Sequence, residues 1–155
     1  MSARTVILLL ATLGATAGLR AADDPLMGAW KLNLAQSKYN PGPPPKSSTI
    51  RRTPVPNGLH YTNDGVDAGG NAFHTEYTAY FDGKDHPIAG DPGRGSIALT
   101  RINSHTVETV NRKDGKVTAT GRWVISPDGK AMTMTIRGTT PQDPARTDIL
   151  VYDKQ

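Results

Sequence analysis

Ala72-Phe73-His74-Thr75-Glu76-Tyr77-Thr78-Ala79-Tyr80-Phe81 alternates in character along its length. On an extended chain Phe73, Thr75, Tyr77, Ala79 and Phe81 share one face, and His74, Glu76 and Thr78 the other, because successive strand side chains point to opposite sides. One apolar and one polar face is the pattern of an antiparallel sheet with a single side in water. The pattern returns in 116–126, where Val117, Ala119, Gly121, Trp123 and Ile125 oppose Lys116, Thr118, Thr120 and Arg122. It returns again in 130–138, where Met132, Met134 and Ile136 oppose Thr133, Thr135 and Arg137. The segment 105–112 alternates poorly, and its inner face stays unassigned.

Between such runs the chain carries turn chemistry: Pro56-Asn57-Gly58, Ala68-Gly69-Gly70-Asn71, Asp82-Gly83, Asp91-Pro92-Gly93, Asp114-Gly115 and Pro127-Asp128-Gly129. Asp-Gly flanked by alternating runs is a hairpin signal, since both central residues of a type I′ turn need positive φ. The spacing predicts strands at 28–34, 48–55, 58–64, 72–81, 95–102, 105–112, 116–126, 130–138 and 147–153, with a short extra strand at 86–89. No stretch after the N-terminus reads as an amphipathic helix. The expected fold is therefore all-β, an antiparallel up-and-down meander of about eight to ten strands that must close or cover its edges.

The N-terminus reads as a secretory signal, residues 1–22, forming a helix ahead of one β domain over 23–155. Arg4 provides the positive start, Val6–Leu13 an apolar stretch too short to span a bilayer, and small residues then lead to Ala21-Ala22. Cleavage after Ala17 or after Ala21-Ala22 both satisfy part of the rule. The protein is expected outside the cytoplasm, periplasmic or extracellular, and soluble after cleavage, with no membrane span in the mature chain. It has no cysteine, so neither a disulfide nor a cysteine-linked lipid anchor is available.

The net charge of +4 includes Arg4 and Arg20; removing those two from the 18 basic residues leaves 16 against 14 acidic ones. The charges are well mixed, which argues against a nucleic-acid partner. Only Arg51-Arg52 and Arg112-Lys113 approach a basic cluster, and both are read as solvated faces of strands or hairpins. Pro41-Gly42-Pro43-Pro44-Pro45 favours an extended polyproline conformation. It is read first as a stiff connection across one end of a barrel, and second as a docking ribbon for a protein partner.

Gly28-Ala29-Trp30-Lys31-Leu32 opens the first predicted strand. A G-x-W at the head of a β meander resembles the opening of lipocalin, fatty-acid-binding and avidin-like barrels, the calycins. With Pro41–Pro45, Tyr80-Phe81-Asp82-Gly83-Lys84-Asp85 and Val151-Tyr152-Asp153-Lys154, the region 26–153 also resembles small exported bacterial proteins described as lipocalin-like, of unknown role. The resemblance implies a closed barrel with Gly28 and Trp30 as structural residues at its closed end. It also implies a late-strand arginine (Arg122, Arg137 or Arg146) lying over Trp30. The Arg-x-Tyr carboxylate clamp of fatty-acid-binding proteins is not carried over, because Leu150 stands at that spacing before Tyr152.

His74 and Glu76 share a strand face and are read as a polar outer surface. Asp82, Asp85, His86 and Asp91 concentrate polar groups near a turn, the favoured loop locus for function. Nucleophile elbows, phosphate loops and metal-ligand spacings are absent, so no catalytic residue, metal or cofactor is assigned. Phe73, Tyr77, Phe81, Trp123, Met132 and Met134 are the inward residues expected to line a ligand cavity, with Asp82, Asp85 and His86 at its mouth.

Three readings follow. The first is a non-enzymatic barrel holding a small apolar or amphiphilic molecule. The second is a filled-core envelope or protein-interaction domain. The third is a hydrolase or isomerase-like activity at a polar barrel mouth. An internal void above roughly 300 Å³, the lower end of ligand pockets, separates the first from the second.

Overall fold

The computed structural model describes residues 24–138 and 146–155. The expected signal segment, residues 1–22, lies outside the described residues. Ten strands follow in chain order: β1 (Gly28–Leu32), β2 (Ser47–Val55), β3 (Gly58–Val66), β4 (Ala72–Tyr80), β5 (His86–Pro87), β6 (Ser96–Asn103), β7 (Thr106–Lys113), β8 (Lys116–Ile125), β9 (Ala131–Gly138) and β10 (Thr147–Lys154). The predicted strands appear with ends moved by a residue or two. Among the described residues no helix is long and apolar enough to cross a membrane.

The turns form where the sequence supplies the conformations they need. Asp114 and Gly115 both have positive φ, at 50° and 75°, as a type I′ hairpin requires. Asn57, at φ 55°, lets Val55 pair directly with Gly58.

All ladders are antiparallel, in the order β4-β3-β2-β1-β10-β9-β8-β7-β6-β5. Every ladder joins sequence neighbours except that of β1 with β10, where Leu32 lies opposite Tyr152. The two ends of this order, β4 and β5, approach each other around the ring. There Glu76 and Ala89 exchange backbone hydrogen bonds of 3.0 and 2.9 Å. The result is a nearly closed ten-stranded barrel with one thin seam. Gly90 permits the seam: it has φ 78°, and a Cβ there would stand 2.0 Å from the His74 carbonyl oxygen.

The interior follows the alternation. Thr75, Tyr77 and Ala79 of β4, Trp123 and Ile125 of β8, and Met132 and Met134 of β9 are buried. Phe73, Phe81 and Ile136, at the strand ends, are partly buried, while Val117 is exposed. β7, whose inner face the sequence leaves open, turns Val107, Thr109 and Asn111 inward. The half nearest the β2–β3, β6–β7 and β8–β9 turns is packed with Leu26, Trp30, Leu59, Leu99, Val107, Ile125 and Met132, all essentially without solvent exposure. The segment before β1 lies across this end. Trp30 Nε1 donates to the Leu26 carbonyl at 3.3 Å, and Asp24 takes two hydrogen bonds from the Arg101 guanidinium.

One expectation is overturned. Arg52 is not on a solvated face: it is 1% exposed and points into the barrel. Its place follows from β2 itself, where Ser48, Ile50 and Arg52 are the alternate inward positions. Arg51, its neighbour, is exposed.

Candidate functional site

The end of the barrel opposite the packed half holds a cavity of about 400 Å³. Its walls are inward side chains from several strands around the ring. Tyr61 and Asn63 come from β3, Asn111 from β7, Met134 and Ile136 from β9, and Leu150 and Tyr152 from β10. Asp91, Gly93 and Arg94, in the connection that climbs beside β4, form one side of the rim, and Arg146 another.

Polar groups in the walls form a connected set. Ser48 Oγ donates to Asn63 Oδ1 at 2.7 Å and lies 3.1 Å from the Tyr152 hydroxyl. The Tyr61 ring stacks on Tyr77 at 4.4 Å and 13°, which fixes Tyr61 from behind. Burial pushes the hydroxyls of Tyr61, Tyr77 and Tyr152 well above the usual phenol range, so all three act as neutral donors and acceptors. Asn111 is buried, and its Oδ1 has no hydrogen-bond partner among the described residues.

The rim charges are paired. Arg94 Nε donates to Asp91 at 2.7 Å. Burial opposes the Arg94 charge, but Asp91 outweighs it and holds the guanidinium above its ordinary value. Arg146 Nε donates to the buried Asp148 at 2.8 Å. Asp148 also accepts the Asn40 N–H at 3.1 Å, which ties the proline-rich connection to β10. Burial beside Asp148 raises the Tyr39 hydroxyl to about 12.

Arg52 lies just beyond the cavity floor. Met134 lines the cavity, and Met132, the next inward residue of β9, accepts from Arg52 Nη1 at 2.9 Å. The guanidinium stands 4.1 Å from the centre of the Trp123 ring and 5.8 Å from that of Tyr61. Its Nε and Nη2 meet no acceptor among the described residues.

Of the six residues expected to line a cavity, Met134 does so. Tyr77 backs Tyr61, and Trp123 and Met132 hold Arg52. The Phe73 ring lies over Gly65. Phe81 lines a separate recess with Asp24, Met27 and Arg101. Asp82, Asp85 and His86 lie in and beside the β4–β5 turn, where His86 Nε2 is 3.0 Å from Asp82 and Asp85 accepts from Arg112. None of the three lines the cavity; Asp91 does.

The cation over Trp30 is Lys154, at 5.0 Å, and Gly28 leaves room for that chain. Arg122 faces outward and pairs with Glu108 at 3.3 Å. With Arg137 it borders a depression of about 440 Å³ on the outer surface of β7–β9. Of the residues that line it, Glu108, Thr120, Arg122 and Arg137 are exposed, and Thr109 is buried.

His74 and Glu76 are exposed on the outer face of β4, away from the cavity. His74 bridges Asp64 (2.6 Å) and Glu76 (3.4 Å), and His60 reaches the second Glu76 oxygen at 3.2 Å. Among the described residues no group of three or more His, Cys, Asp and Glu side chains is arranged to hold a metal ion.

The sequence reading does not single out Tyr61, Asn63 or Asn111, and it weighs Tyr152 only for a carboxylate clamp that Leu150 breaks. The signal for three of them was alternation: Leu59-Tyr61-Asn63 and Asp148-Leu150-Tyr152 are inward sets of the same kind as Phe73–Phe81. No protein-family model matches this sequence, and no curated protein matches it.

Proposed function

We propose that this chain is an exported, lipocalin-like barrel that holds one small amphiphilic molecule in the open end of its interior and performs no chemistry on it. The observation that carries the reading is the cavity of about 400 Å³. It exceeds the roughly 300 Å³ that a small ligand needs. Its walls offer the mixture such a molecule requires: apolar surface from Met134, Ile136 and Leu150, and fixed polar groups from Tyr61, Asn63, Asn111 and Tyr152. The packed lower half supplies rigidity, so the cavity does not depend on a ligand to stay open. A polar wall favours an amphiphile over a purely apolar ligand, because a hydrocarbon would leave Asn111 without a partner.

Native mass spectrometry of protein purified from the exported fraction of its own cells tests the reading. A species heavier than the bare chain is expected, and after extraction the protein should take up a neutral amphiphile such as octanamide with one-to-one saturation. A bare chain that also takes up no amphiphile would refute it.

A further inference from the structure

We infer that the molecule held in this cavity presents a neutral, hydroxyl-rich head, a sugar or similar polyol on a small apolar body, and that Asn63, Asn111 and Asp91 are the groups that recognise its hydroxyls. The inference rests on the binding reading above and specifies the polar part of the ligand.

The composition of the wall carries it. Met134, Ile136 and Leu150 supply an apolar side. The rest is largely polar: Tyr61, Asn63, Asn111, Thr118 and Tyr152 line the cavity, together with the rim groups Asp91, Arg94 and Arg146. An entering molecule strips water from these groups, and each one left without a partner counts against binding. A single head group, such as an amide or a lone alcohol, meets few of them. Several hydroxyls on one compact body meet more, because each hydroxyl both donates and accepts.

The groups themselves suit hydroxyls. An asparagine amide sets an acceptor beside a donor, which neighbouring hydroxyls match in pairs. Asn63 commits its Oδ1 to Ser48, while Asn111 Oδ1 is bound by nothing among the described residues. Tyr61 and Tyr152 keep their protons, so their hydroxyls also donate and accept. Asp91 accepts the Gly93 N–H at 2.8 Å on one oxygen and Arg94 Nε at 2.7 Å on the other. Each oxygen keeps a lone pair for a ligand hydroxyl.

Charge argues against an ionised head. Among the lining residues Arg94 is balanced by Asp91, and Arg146 by the buried Asp148. Arg52 is not among the groups that line the cavity. The wall offers no net charge to neutralise, so an ion would lose its water without gaining a counter-charge.

The test is calorimetric titration of the full protein, freed of bound molecules, with octyl glucoside, octyl galactoside and octanamide below micelle formation. The probes are all neutral and differ chiefly in the head. At least one glycoside is expected to bind at least about tenfold more tightly than octanamide, the scale of one or two added hydrogen bonds. Methyl glucoside separates the two sources of such a head: weaker binding than the octyl form assigns a glycoside with a tail, and equal binding assigns a free sugar. Asn111→Leu should cut the glycoside preference about fivefold or more while octanamide still binds. Octanamide binding as tightly as both octyl glycosides overturns the inference and leaves the binding reading standing. An undiminished preference in N111L overturns it too. Failure of every probe to bind overturns both readings. The side-chain amide NMR signals of Asn63 and Asn111 offer a check that needs no variant. They should move on addition of the preferred glycoside, and signals indifferent to the bound glycoside refute the assignment.

Discussion

Replacing Arg52 by methionine should make the ligand-free protein more stable, although it removes the longest side chain of the inner face. The wild type leaves two buried nitrogens, Nε and Nη2, without an acceptor among the described residues, each costing about 1–3 kcal/mol. The desolvated charge adds to that cost. Against this stand the stacking on Trp123, about 2 kcal/mol for a desolvated cation over an indole, and a weak hydrogen bond to Met132. The shorter side chain leaves a small void worth about 1 kcal/mol. The balance is a gain of about 1–3 kcal/mol, within the range seen when buried charged groups give way to apolar ones. For a chain of this size that is a rise in Tm of about 3–9 °C. Thermal unfolding of ligand-free protein, followed by circular dichroism at neutral pH, measures it. A fall in Tm of several degrees would refute the reasoning. It would mean that the guanidinium is well satisfied in the free protein and that Nε and Nη2 are not waiting for an acceptor.

Other perturbations follow from the same structure. Gly90→Ala forces a side chain against the His74 carbonyl at positive φ, and should cost about 2 kcal/mol or more in urea unfolding; an unchanged midpoint would show that the seam can part freely. Asp24→Asn should cost about 1 kcal/mol. Burial raises the Asp24 carboxyl, but the Arg101 hydrogen bonds and the Leu26 N–H outweigh it and hold it below its ordinary 3.8. Its contribution is therefore present above pH 3.8 and lost as pH falls through the lowered folded value, so the wild-type and variant stability curves should converge in acid. His74 is raised above its ordinary 6.5 by the hydrogen bonds to Asp64 and Glu76, and its NMR titration midpoint should lie above that value. Its contribution is present below pH 6.5, while the partner carboxylates stay ionised, and is lost as pH rises through the raised value. His74→Gln should therefore narrow its stability gap with wild type above neutrality; a gap that widens there contradicts the pairing.

The barrel was legible because its strands are short, alternate clearly and are joined by turns whose residues announce themselves. Asp114-Gly115 and Asn57-Gly58 need conformations that few other pairs adopt, and the strand ends follow from them. The site was less legible. Alternation along β2 already placed Arg52 beside Ser48 and Ile50 on the inner face. Charge argued the opposite, since an arginine pair on a strand normally stays in water. Local pattern outranked charge here because the ring faces of Trp123 and Tyr61, far away in sequence, receive the guanidinium, and no spacing rule connects them. The turn at Asp82–His86 misled in the reverse direction. Its polar groups are real, but they serve one another and Arg112, while the rim is built by Asp91 and Arg94 farther along the same connection.

The pairing of β1 with β10 separates two things that usually coincide in a meander, the covalent path and the hydrogen-bonded ring. The first and last strands are joined by a ladder of three residue pairs, while β4 and β5, consecutive in the chain, are joined by a short turn and a single bridge. Relinking residue 155 to residue 24 and opening the chain between Asp82 and Asp85 would give a circular permutant that begins at β5 and ends at β4. All ten strands would then lie in spatial order, and every ladder would join sequence neighbours. The natural order's long-range β1–β10 ladder would become local, leaving the Glu76–Ala89 bridge to close the ring over long range, and such a permutant should refold faster in stopped-flow experiments, because local contacts form at lower entropic cost.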